Sequence, residues 1–155
     1  MPETAAAIRV SSAERDVAVE EVRAVLASVR DEGYREQLEE LVEALEAGTV
    51  DDELAGALDR IVTLGLQSGR IRHVYGPGGE QAALRLYRKL PGGRAVQESA
   101  QEVAAALSSL AGRTLDSVAI QPVGPGAFSV SLSTDGIHLS VRLDRQGARL
   151  HSVEA

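Results

Sequence analysis

The chain has 155 residues, is 44% hydrophobic and only 3% aromatic, and carries a net charge of −7 with no cysteine. This length suffices to bury a core as one domain or as two small subdomains. The composition excludes disulfides and thiolate metal sites, and it leaves few rings on which nucleic-acid bases could stack. No apolar run approaches the roughly 20 residues of a membrane span. Met1-Pro2-Glu3-Thr4 lacks the basic start and apolar centre of a secretory segment, so a soluble, cytoplasmic protein is expected.

Residues 1–11 read as a flexible lead-in. Ser11-Ser12-Ala13-Glu14 has the form of a capping box, in which a hydroxyl and a carboxylate satisfy the free amides at a helix start, and it predicts a first helix over 12–31. In that helix Val22, Val25, Leu26 and Val29 recur at three and four residues as one apolar stripe, and Gly33 is the expected break. A second stripe, Leu38, Leu41, Val42 and Leu45, closes at Gly48. The offset between the stripes fits no continued heptad, which indicates a hairpin of two helices. With so few aromatic residues to complete a monomeric core, these eight side chains are the candidate oligomerisation surface, and a homo-oligomer is expected.

Thr49-Val50-Asp51-Asp52 is a third helix-start signal, and Leu54, Ala57, Leu58 and Ile61 give the buried face of a helix over 51–67. Residues 70–75, short and bearing β-branched side chains, read as a strand, and Gly76-Pro77-Gly78-Gly79 as a turn. For 80–90 the pattern favours a helix with Leu84, Tyr87 and Leu90 on one side. The alternative is a return strand alternating Leu84, Leu86 and Arg88. Pro91-Gly92-Gly93 marks a boundary, after which Val96, Ala100, Val103, Leu107 and Leu110 trace a helix stopped by Gly112.

Strict alternation in 128–133 and 137–143 predicts two half-buried strands about Asp135-Gly136. A two-residue turn there pairs Leu132 with Leu139, Val130 with Val141 and Phe128 with Leu143, all on one face. Flanking strands are expected at 117–123 and 148–153. The fold class is α+β, a helical N-terminal half followed by a C-terminal helix packed on a three- or four-stranded antiparallel meander. Three segments result: 1–11, an acidic helical 12–91 with its basic part, and 94–155.

Function is sought in the charge pattern. Residues 12–59 hold fifteen acidic and four basic side chains, whereas 60–94 hold seven basic and one acidic. Such a split points to docking, and Arg70, Arg72, Arg85, Arg88 and Lys89 are the candidate partner-binding residues. The acidic surface they seek is another protein, a second copy, or this chain's own first helices. Gly76, Gly78 and Gly79 offer backbone amides to an anion, but Glu80 follows them and no Gly-Lys-Ser/Thr completes a phosphate loop.

Residues 34–90 have the pattern of a winged helix, with Arg70 and Arg72 on the wing. Asp51, Asp52, Glu53 and Asp59 on the reading helix would repel phosphates, so nucleic acid is disfavoured as a partner. His138 and His151 lack a third metal ligand, no serine sits in a nucleophile elbow, and the glutamates of 39–46 read as a solvated face. No catalytic residue, metal or cofactor is therefore assigned. The reading is a non-catalytic interaction subunit, an oligomeric scaffold or accessory component of a larger assembly. The alternatives are a winged-helix-like transcriptional regulator and a small ligand-binding or enzymatic module built on the glycine turn.

Overall fold

In a computed structural model, residues 6–155 are described. They form β1 (Ile8–Arg9), α1 (Ser12–Leu26), α2 (Glu32–Ala47), β2 (Thr49–Val50), α3 (Asp52–Gln67), α4 (Arg70–Lys89), α5 (Pro91–Ser108) and strands β3 (Leu115–Gly124), β4 (Ala127–Thr134), β5 (Ile137–Asp144) and β6 (Gly147–Glu154). The fold is α+β, as expected, and the chain divides into two compact units at Arg94/Ala95, inside α5. No described helix is long and apolar enough to cross a membrane.

In the first unit, the starts of α1, α2 and α3 are each fixed by a side chain that accepts from an otherwise unpaired amide. The Glu14 amide donates to Ser11 Oγ at 3.4 Å and the Ser11 amide to Glu14 Oε2 at 2.9 Å, which completes the capping box. Asp31 accepts from the Tyr34 amide at 2.7 Å and Asp51 from the Leu54 amide at 3.0 Å. The expected end of the first helix is corrected: α1 ends at Leu26, Asp31 caps α2 in an extended conformation, and Gly33 lies inside α2 rather than between helices. The lead-in reading of 1–11 needs correction as well: Ile8 is buried and pairs with Val50, while Arg9 pairs with Thr49. The part of that expectation falling on residues 1–5 lies outside the described residues.

The strand expected at 70–75 is instead the first part of α4. A helical turn there carries Ile71 into a cluster with Val17, Ala82 and Ala83, an apolar contact that local β propensity cannot outweigh. The glycine turn is reduced to a kink. Gly76 takes φ 70°, open to glycine but strained for other residues, and Pro77 restarts the helix at a position where its missing N–H is not needed. Residues 80–89 are helical, as the apolar pattern favours. The expected boundary at Pro91-Gly92-Gly93 falls where α4 stops at Lys89, but α5 begins at once at Pro91, and the Gly92 amide donates to Asp59 Oδ2 at 2.7 Å.

The second unit is a four-stranded antiparallel meander, β3-β4-β5-β6, with α5 on one face. Leu132 pairs with Leu139, Val130 with Val141 and Phe128 with Leu143, in the register that the turn demands. Gly136 supplies the left-handed residue of that turn at φ 81°. Val103 of α5 packs on Leu139 and Val141, with Ala106, Leu132 and Ala148 around them, and Ser99 Oγ donates to the Ala148 carbonyl at 2.5 Å.

Candidate functional site

Two carboxylates of α1 point inward. Glu14 and Glu21 lie seven residues apart, on the face that also carries Val17, Ala18 and Val22, and both are buried. A buried carboxylate needs charged or hydrogen-bonded partners, and α4 supplies them from both of its ends. At its start, Arg70 Nε lies 3.2 Å from each Glu21 oxygen and Tyr75 Oη donates to Glu21 Oε1 at 2.9 Å. Burial, reinforced by the Glu21 hydrogen bond and charge, pushes the Tyr75 phenol up to about 12. At its end, Lys89 Nζ donates to Glu14 Oε2 at 2.7 Å and to the Arg9 carbonyl at 3.0 Å. Burial raises the Glu14 carboxyl, but the bonds from Lys89 and Ser11 outweigh it and hold the group below its ordinary value.

The candidate docking residues are therefore split. Arg70 and Lys89 use their charge on this chain's own first helix, and Arg72 pairs with Glu80 across the kink at 3.1 Å. Arg85 and Arg88 remain exposed, and neither forms an ion pair among the described residues.

The candidate oligomerisation surface is corrected for Val22, Leu38, Leu41 and Leu45. Val22, Leu38, Leu41 and Leu45 are fully buried in the core of the first unit, with Ile8, Val50, Leu58, Leu86 and Leu90 among their neighbours, and Val25, Leu26, Val29 and Val42 pack against that core. The two stripes are occupied within the unit, which satisfies them without a second copy. The anion site at Gly76, Gly78 and Gly79 is corrected too. Glu80 stands in the first turn after the kink, paired with Arg72, so the helix start already has a carboxylate of this chain beside it. With α4 helical from Arg70 to Lys89 there is no wing hairpin, and the winged-helix pattern of 34–90 does not form.

Beside Glu21 the helices leave a groove. A cavity of about 520 Å³ is lined by Ala24, Val25, Ile61, Leu64 and Gly65, with Glu21, Tyr34, Arg60, Ser68 and Arg70 contributing polar groups. Leu64 is 67% exposed although it belongs to this apolar lining. Sequence reasoning missed this site. The available signal was Glu21 itself, a carboxylate spaced within an apolar stripe and so in need of an inward-facing cation.

The second unit carries a different surface. Val118 and Ile120 of β3 are 59% and 64% exposed, and Phe128 of β4 is also exposed, all on the sheet face that α5 shares. The opposite face is rich in serine, with Ser129 and Ser140 Oγ atoms 3.2 Å apart. His138 Nδ1 lies 2.7 Å from Ser133 Oγ, and no cluster of three or more potential metal ligands occurs among the described residues.

Compared with protein-family models, curated proteins and solved structures, the chain finds no match.

Proposed function

We propose that this chain is a non-catalytic protein–protein interaction subunit, a scaffold or accessory component of a larger assembly. One observation carries the reading: the apolar face of the C-terminal sheet is only partly covered. Four strands about 4.8 Å apart are wider than one helix of about 10 Å, so α5 can shield only part of them. Val118, Ile120 and Phe128 are left in water, and contiguous apolar patches of this kind mark interaction surfaces. Arg85 and Arg88, free of intramolecular ion pairs among the described residues, supply charge that steers an acidic partner or a second copy of the chain. The reading places the protein in the cytoplasm, in keeping with its lack of cysteine.

The test is Val118→Lys combined with Ile120→Lys, two exposed substitutions on an edge strand. Native mass measurement of complexes isolated with the full chain should show loss of the partner or of self-association, with the circular dichroism unchanged. Assembly that persists in this double variant would sink the reading.

A further inference from the structure

The groove of the first unit has the attributes of a small-ligand site, and every residue lining it falls within 6–94. Its volume of about 520 Å³ lies within the roughly 300–1,000 Å³ range typical of small-molecule pockets. Its walls are aliphatic. Gly65 sets how closely the helices pack beside the groove: a Cβ there would stand 2.7 Å from Ile71 Cδ1 and 3.0 Å from Glu21 Oε2, so a larger residue would have to push those side chains aside. The exposed Leu64 at this lining is apolar surface that a bound apolar group would take out of water.

The charges lining the groove favour an anion. Arg60 and Arg70 stand against Glu21, a balance of one positive charge. Arg70 is also held in a useful way. Glu21, itself fixed by Tyr75, engages Arg70 through Nε alone, and the two η nitrogens carry no hydrogen bond among the described residues. A guanidinium anchored at Nε keeps its η pair as a fork matched to a carboxylate. Arg60 is exposed and forms no ion pair among the described residues.

We infer that this groove binds a small apolar monocarboxylate, its hydrocarbon body against Val25, Ile61 and Leu64 and its carboxylate between Arg60 and Arg70. The site is independent of the interaction surface proposed for the sheet, and either can fail without the other.

The test uses the full chain and decanoate, with decylamine as the cationic control and a short peptide ending in two leucines with a free carboxylate as the rival occupant. Titration calorimetry should give saturable decanoate binding below its micellar range, at least tenfold tighter than decylamine. Amide resonances of Gly65, Ser68 and Arg70 should move together. Arg60→Gln and Leu64→Gln, both at exposed side chains that the fold does not need, should each weaken decanoate at least fivefold. Three results overturn the assignment: no saturable binding, equal binding of decylamine, or affinity unchanged in both variants. Tighter binding of the peptide than of decanoate also overturns it, by making the groove a receptor for chain termini.

Discussion

Lys89 Nζ lies 2.7 Å from Glu14 Oε2, joining the last turn of α4 to the first turn of α1 across 75 residues of sequence. With Arg70 on Glu21, two of the seven basic residues of 60–94 thereby spend their charge on α1. The Glu14 side chain is only 3% exposed while Lys89 is 40% exposed, so the lysine reaches in from the surface to a carboxylate that has little other solvation.

Removing Lys89 while leaving Glu14 in place should therefore destabilise the first unit. Lys89→Met is expected to cost about 2 kcal/mol, below the value for a wholly buried pair because the ammonium stays half in solvent. Arg85→Glu with Arg88→Glu should leave stability nearly unchanged, since both side chains are exposed. Urea unfolding of the two variants measures the contrast, and equal losses would contradict the distinction between paired and free basic residues.

The same pair sets an acid limit. The Glu14 carboxyl is held below its ordinary 4.5, so its contribution is fully present above that pH and is lost as pH falls through the lower folded value. Thermal melts should show the first unit weakening progressively below about pH 4.5, and Glu14→Gln should flatten that dependence. A wild-type slope retained in the variant would assign acid sensitivity to other carboxylates.

On the alkaline side Tyr75 acts in the opposite sense. Its phenol is raised from 10.0 to about 12, so the folded state gains stability that is complete below pH 10 and disappears as pH rises towards 12. Tyr75→Phe should remove this alkaline loss. The variant should also cost about 1–2 kcal/mol at neutral pH, because Glu21 loses a donor inside the protein. Burial also raises the Tyr87 phenol, so absorbance titration of the wild type against Tyr75→Phe isolates Tyr75, and an unchanged high-pH titration in the variant would refute the buried network.

Duplex DNA should bind weakly and without sequence preference. Asp51, Asp52 and Glu53 are exposed at the start of α3, residues 70–89 are helix rather than a wing hairpin, and Arg70 and Arg72 are engaged with Glu21 and Glu80. Fluorescence anisotropy at physiological salt checks this, and tight sequence-selective binding would reverse the exclusion.

The C-terminal meander was legible residue by residue because its information is local. Asp135-Gly136 sets the turn, and alternation in 128–133 and 137–143 independently demands the same pairing. The capping box at Ser11 was legible for the same reason, its two bonds lying within four residues. What could not be read was partnership at long range. The apolar stripes of α1 and α2 require burial, yet periodicity does not say whether a second copy or α3 and α4 will cover them, and Leu38, Leu41 and Leu45 find their cover within the unit.

Residues 70–75 show the same division. Taken alone, Ile71 and Val74 favour a strand, but packing Ile71 against Val17 and seating Arg70 and Tyr75 on Glu21, 49 and 54 residues away, are possible together on a helix. The sequence by itself determined the fold class, the C-terminal register and the existence of a charge split. The tertiary structure alone decided which charges neutralise one another and which remain free, because ion pairing falls off with spatial distance and is blind to separation along the chain.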